Sequence, residues 1–352
     1  MHPRPPFRPP YRPPHRPIYR PWHRPGWNIF IGSGSFYFGY GWNGWYRPSW
    51  YYPSTTVIYN EVQPEPTVIN NYHVEQPPVL KNYNFYEGIK YNPLSSHPEL
   101  KLDVYAPIAR TIGGSPCVLL IPDGEWDGNY EKDLSSAAEY LVSKGYLCVS
   151  VSYRKYPNSK IKDSVEDVMR ALYWVKNNAV KYGGDPKRIG VVGVGGGGYL
   201  AEMLAVKSTQ SRSGDVNPVL GSVSAVVAIG SPSDVYNYGV LVGSERVERD
   251  LGSDSSQKGV FEGGVADFSP ISQVGSYTPP ILLIHADNDY VVPCELSERM
   301  KLESDARSAK VEFKTIDSDE HRIWMSPADS YNISTPIWDE VSLFLANKMK
   351  VL

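Results

Sequence analysis

At 352 residues and 41% apolar content, the chain has the length for one large domain or two small ones and enough hydrophobic side chains for a real core. Its net charge of −3 hides a split: the first sixty residues carry several arginines and no Asp or Glu, and the remainder is acidic. Three scattered cysteines, Cys117, Cys148 and Cys294, argue against a disulfide framework or a zinc site, and no apolar run approaches the roughly 18 residues that a membrane helix needs.

The chain opens on a tetrapeptide repeat that sets Arg4, Arg8, Arg12, Arg16, Arg20 and Arg24 each before a proline. Proline at this density excludes helix and favours polyproline II, where a period of four carries each arginine about 120° round the axis. The result is a cationic rod with no single charged face. Residues 26–52 are rich in Gly, Trp, Tyr and Phe, and two related pieces follow at 56–66 and 67–77. Residues 1–80 therefore read as a low-complexity arm and linker, largely disordered. Arginine interleaved with aromatics suits an anionic partner such as nucleic acid, an acidic glycan or a lipid surface; a solvated tether explains the composition as well. No apolar signal region precedes the repeat, so the default expectation is the cytoplasm, or the cell envelope if a signal lies upstream.

From Tyr83 ordinary alternation begins. Residues 83–91 and 100–106 read as a strand pair, Cys117–Ile121 and Tyr146–Val151 as buried strands, and residues 130–144 as a helix between them. Residues 161–182 read as one long amphipathic helix, with Val165, Val168, Leu172 and Val175 on one face. Strands at 223–229, 281–285 and 310–316 and helices at 295–304 and 337–348 complete the series. Strands alternating with helices imply a mostly parallel sheet covered on both faces. Residues 234–274 break the rhythm after a strand and read as a lid-like insertion over its carboxyl end.

The stretch from Ile189 to Ala201 runs from buried strand through a glycine corner into helix, the geometry of a nucleophile elbow, G-x-S-x-G. Here the five residues are Gly193, Val194, Gly195, Gly196 and Gly197. The centre carries no side chain. The glycines present N–H groups at a helix start that suit an anion, and close strand-on-helix packing accounts for them equally.

Together with Leu102–Pro107, Val151–Pro157, Tyr182–Gly193, Ser269–Ser272 and Pro280–Pro293, these elements in this order resemble an α/β-hydrolase domain, over residues 83–352. The local sequences are similar to the esterase branch that includes hormone-sensitive-lipase-like, acetyl-xylan/feruloyl-esterase-like and kynurenine-formamidase-like enzymes. The resemblance implies an acid at Asp289, with Asp287 as a neighbouring turn residue, a base at His321, and a serine where this chain has Gly195. It also implies an oxyanion loop of the His-Gly-Gly-Gly-Trp type, with Gly196 as its partner across the site. This chain has Pro122-Asp-Gly-Glu-Trp126 there, which keeps Gly124 but puts Asp123 and Glu125 where negative charge would develop.

No replacement nucleophile is evident: Tyr199 lies a helical turn on, Ser208 further still, and Cys294 reads as a capping or core thiol. Asp123, Glu125, Asp127 and Gly128 resemble the first half of a calcium loop, but Leu134 stands at its twelfth position; a solvated acidic loop at a helix start fits too. No metal or cofactor is expected. The expected function is that of a catalytically impaired esterase-like protein binding a small ester-like or acyl ligand. The alternative is weak ester hydrolysis through a His321-activated water or an unrecognised nucleophile.

Overall fold

The computed structural model describes residues 81–352, apart from 99, 110, 125–133, 156–158, 208–222, 236, 239–264, 327–328 and 350–352, together with the strands at 26–32 and 35–41. The chain divides into two compact units, Met1–Val74 and Glu75–Leu352.

In the first unit, β1 (Gly26–Gly32) and β2 (Ser35–Gly41) pair antiparallel, in a register that sets Gly26 opposite Gly41 and Gly32 opposite Ser35. This hairpin lies inside the stretch expected to be largely disordered. The aromatic and branched residues that give it a low-complexity appearance are also strong strand formers. The rest of the arm, with its arginine repeat and the two related pieces at 56–66 and 67–77, lies outside the described residues.

In the second unit, β3 (Tyr83–Lys90) and β4 (Lys101–Pro107) form the antiparallel pair expected from their sequence. Then come β5 (Ser115–Ile121), α1 (Ser135–Ser143), β6 (Leu147–Val151), α2 (Ile161–Asn178), β7 (Gly184–Val194), α3 (Gly196–Lys207) and β8 (Val223–Ile229). The short helix α4 (Pro270–Gln273), β9 (Ile281–Ala286), α5 (Glu295–Ala306), β10 (Val311–Ile316), the small antiparallel pair β11 (Met325–Ser326) and β12 (Asp329–Ile333), and α6 (Thr335–Lys348) follow. The main sheet has the order β10-β9-β8-β7-β5-β6-β4-β3, parallel from β10 to β6 and antiparallel across β4 and β3. This is an α/β-hydrolase fold.

Three boundaries differ from the sequence reading. The helix expected over 161–182 stops at Asn178 and tightens into a 3-10 turn, Ala179–Tyr182, closed by Gly183 at φ 85°. Strand β7 starts at Gly184 rather than Ile189, because Gly184 and Asp185 pair with Ser115 and Pro116 across a bulge that interrupts the apolar pattern. Helix α1 starts at Ser135, and residues 125–133 before it lie outside the described residues, as do residues 239–264 of the lid-like insertion.

Both sheet faces are covered. Val165, Val168, Leu172 and Val175 of α2, with Leu200, Met203 and Leu204 of α3 and Leu296 and Met300 of α5, close one face. Ala137, Ala138 and Leu141 of α1, with Trp338, Val341 and Leu345 of α6, close the other. Helix α3 is buried all round, from Gly197 to Val206, so its sequence shows no polar stripe. Six parallel strands, β5 to β10, deliver their carboxyl ends to one edge. The chain order reverses between β5 and β7, and a crevice forms at such a switch point.

Candidate active site

Gly195 turns the chain from β7 into α3 with φ of +54°, a left-handed conformation that a side chain adopts at a cost. Its N–H donates to the Ile229 carbonyl (2.8 Å), and its own carbonyl accepts from Gly198 and Tyr199 (3.0 and 3.2 Å). Two of the surrounding glycines are demanded by packing: a Cβ on Gly193 would lie 2.0 Å from the Gly197 carbonyl oxygen, and one on Gly197 2.2 Å from that of Ile121.

Asp123 follows β5 directly, on the other side of the switch point. Its Oδ1 accepts from two backbone amides, Gly124 at 2.7 Å and Gly196 at 2.8 Å. The carboxylate thereby fills the space above the corner: a Cβ on Gly195 would lie 2.4 Å from both Cγ and Oδ1 of Asp123 and 2.6 Å from Oδ2. Tyr153 braces this loop from below, donating from its buried hydroxyl to the Pro122 carbonyl at 3.0 Å.

Asp123 Oδ2 stands 4.0 Å from Nε2 of His321. The imidazole is nearly buried, lies edge-on to Trp324 with ring centroids 5.3 Å apart, and rests against the backbone at Gly230. Its Nδ1 meets Asp289 Oδ2 at 2.7 Å. Asp289 Oδ1 accepts from the amides of Val291 and Val292 at 2.8 and 2.9 Å. Burial alone would raise the Asp289 carboxyl, but hydrogen bonds from His285 and His321 outweigh it and hold the group below the ordinary carboxylate range.

His285, on β9, also reaches Asp289, and sequence reasoning passed it over. Its Nε2 donates to the Val292 carbonyl (2.9 Å) and lies 3.3 Å from Asp289 Oδ2. Its Nδ1 therefore accepts from the Ser297 hydroxyl at 2.7 Å. The strand pattern made this histidine look like one more core residue. Its place four residues before Asp289 was the available signal.

The residues singled out from sequence thus divide. Asp289 and His321, from the ends of β9 and β10, come together; Gly195, Gly196 and Gly124 meet them around Asp123. Glu125 lies outside the described residues. Asp287 is a turn residue, accepting from the Ser318 amide at 3.1 Å and the Asn288 side chain at 3.0 Å. Tyr199 is buried, its hydroxyl donating to the Phe268 carbonyl at 2.7 Å, and burial pushes its phenol well up. Cys294 is buried just before α5, and burial pushes its thiol to about 12. Ser208 lies outside the described residues. Of the calcium-like loop, Asp123 is turned onto the two amides and residues 127 and 128 are outside the described residues. Among the described residues no group of three His, Cys, Asp or Glu is placed to hold a metal.

Behind the corner, Glu202 of α3 is fully buried. Burial pushes its carboxyl up to about 7, against the opposing effect of the Ser233 hydrogen bond. Ser233 donates to Oε1 at 2.9 Å, and Oε2 has no hydrogen-bond partner among the described residues.

A match to the BD-FAE family model runs over residues 102–303, more than half of the chain and most of the sheet that carries these residues. The chain belongs to the BD-FAE family. The probable isoprenylcysteine α-carbonyl methylesterase ICMEL1 of Oryza sativa subsp. japonica is 30% identical over 234 residues, covering 64% of this chain and 54% of the relative. The esterase LipQ of Mycobacterium tuberculosis is 27% identical over 221 residues, covering 59% and 50%. The chain thus spans about half the length of the relatives it matches.

Among solved structures, a truncated carbohydrate esterase from gut microbiota superposes on this BD-FAE domain with a TM-score of 0.61 at 24% identity, covering 78% of this chain and 99% of the other. Esterase B of Lactobacillus rhamnosis gives a TM-score of 0.61 at 18% identity, covering 76% and 85%. These likenesses speak for the esterase fold.

Proposed function

We propose that this BD-FAE domain has lost ester hydrolysis through an acyl-enzyme and keeps its crevice for binding. In this reading Gly195 stands at the nucleophile position, Asp289 and His321 are the remaining acid and base, and the amides of Gly124 and Gly196 are the oxyanion donors. Acyl transfer needs an attacking oxygen beside the base and an empty anion seat for the tetrahedral intermediate. One observation carries the reading: the Asp123 carboxylate occupies both amides itself, over a corner that has no room for a serine. Two separate features of the site oppose the same reaction.

The ligand that suits such a crevice is a small ester-like or acyl molecule, by analogy with the relatives named as esterases. For the arginine-rich arm the matching proposal is an anionic partner, whose binding would weaken steeply with salt. The test is turnover of 4-nitrophenyl acetate and butyrate by the wild-type protein. Rates at the buffer background support the reading, and turnover comparable to an active esterase ends it. A second reading, slow hydrolysis by a water activated on His321, draws on the intact 2.7 Å contact to Asp289. Replacing His321 by Ala abolishes that activity if the reading holds, and leaves it unchanged if it does not.

A further inference from the structure

We propose that Asp123 is itself a nucleophile, and that the site acts on saturated carbon bearing a good anionic leaving group, such as a primary alkyl halide. The proposal uses the same acid–base pair as the reading above but a different reaction.

The two oxygens of Asp123 are unlike. Oδ1 is anchored on the Gly124 and Gly196 amides at 2.7 and 2.8 Å. Oδ2 makes no hydrogen bond among the described residues and faces His321 Nε2 at 4.0 Å, and the side chain keeps 11% of its surface exposed. An anchored oxygen and a free one are what a carboxylate needs to attack: the first fixes direction, the second carries the lone pair. Gly195 then has a positive role, because any side chain there would displace this carboxylate.

Attack on an acyl carbon would yield an anhydride and gain nothing over the ester. Attack on saturated carbon gives a different product. Oδ2 forms a C–O bond as the C–X bond breaks, the halide leaves with the electron pair, and Asp123 becomes an alkyl ester. His321 Nε2, its ring held by Asp289, then takes a proton from water. The hydroxide attacks Cγ of Asp123, and the negative charge of the tetrahedral intermediate develops on Oδ1, which already sits on two amide donors. Collapse expels the alkoxide, which recovers the proton from His321, and Asp123 ionises back to carboxylate. The sum is alkyl halide and water giving alcohol, halide and a proton.

The test uses 1-bromobutane and the full chain. With His321→Gln, whose fold is checked by its melting transition, the second step stalls and intact mass rises by one butyl group, mapped by peptide sequencing to Asp123. Wild-type protein turned over in 18O-labelled water incorporates label into the Asp123 carboxylate and releases bromide, and Asp123→Asn does neither. The proposal is overturned if wild type releases no bromide and acquires no label, or if the butyl group maps elsewhere. Aryl-ester turnover is read separately, so failure of either proposal leaves the other standing.

Discussion

Placing a serine at the corner is expected to fail alone and to succeed only with a second change. In Gly195→Ser the new Cβ would lie 2.4 Å from Cγ and Oδ1 of Asp123, about 1 Å inside ordinary contact. Overpacking of this kind costs about 1–3 kcal/mol, and a side chain at φ of +54° costs a further 1–3 kcal/mol or so. The single variant is therefore expected to melt well below wild type. It is also expected to stay inactive, because the Asp123 carboxylate occupies the amides proposed as oxyanion donors. A carboxylate about 4 Å from a developing oxyanion, at an effective dielectric of about 20, opposes it by about 4 kcal/mol. That is about a thousandfold in rate, a lower bound when the carboxylate occupies the seat itself. Gly195→Ser with Asp123→Gly removes both obstacles and leaves only the backbone strain. In a 4-nitrophenyl acetate assay the double variant is expected to exceed the single by at least a thousandfold in kcat/KM. If the single variant hydrolyses as fast as the double, the blocking role of Asp123 is refuted. If the double stays at background while folded, the remaining machinery is not that of an esterase.

Further predictions concern the framework. Gly197→Ala sets a Cβ 2.2 Å from a backbone carbonyl and is expected to cost about 3 kcal/mol or more, whereas Gly196→Ala meets nothing nearer than 3.5 Å and leaves the melting temperature unchanged or slightly raised. The Glu202 carboxyl, pushed up to about 7, keeps a proton in the folded state that the unfolded chain has already lost, so its contribution falls as pH rises from about 4.5 to 7. Glu202→Gln should match wild type near pH 5 and melt higher at pH 8; equal melting at both would refute this. Asp289 is depressed, so its stabilisation is present above about pH 4 and is lost as pH falls through its folded value. In urea unfolding the Asp289→Asn deficit should therefore be large at pH 7 and shrink toward pH 2, and a constant gap would contradict it.

The layered fold was legible because apolar runs such as Cys117–Ile121 and Ile281–Ala286 are buried strands between amphipathic helices. That Asp289, His321 and Gly195 lie near one another was legible through motif order, since the ends of parallel strands meet at one edge. What stayed hidden depended on direction. A carboxylate at position 123 was visible, but whether it pointed to solvent, to a cation or onto the Gly196 amide is decided by a contact 73 residues away in the chain. His285 was masked because its polar neighbours, Ser297 and Val292, come from the following loop and helix. Hairpin β1–β2 was hidden by composition, and β7 was read short because Gly184 and Asp185 look like turn residues yet pair across a bulge.

The central claim is that an internal carboxylate, and not an attacking hydroxyl, holds the oxyanion seat. The most direct test exposes wild type and the Gly195→Ser, Asp123→Gly double variant to an alkyl phosphonofluoridate and reads stable phosphonylation by intact mass. The double variant is expected to gain one phosphonyl group at position 195 and wild type none. A stable phosphonyl group on a hydroxyl beside His321 in the wild-type protein would contradict the account.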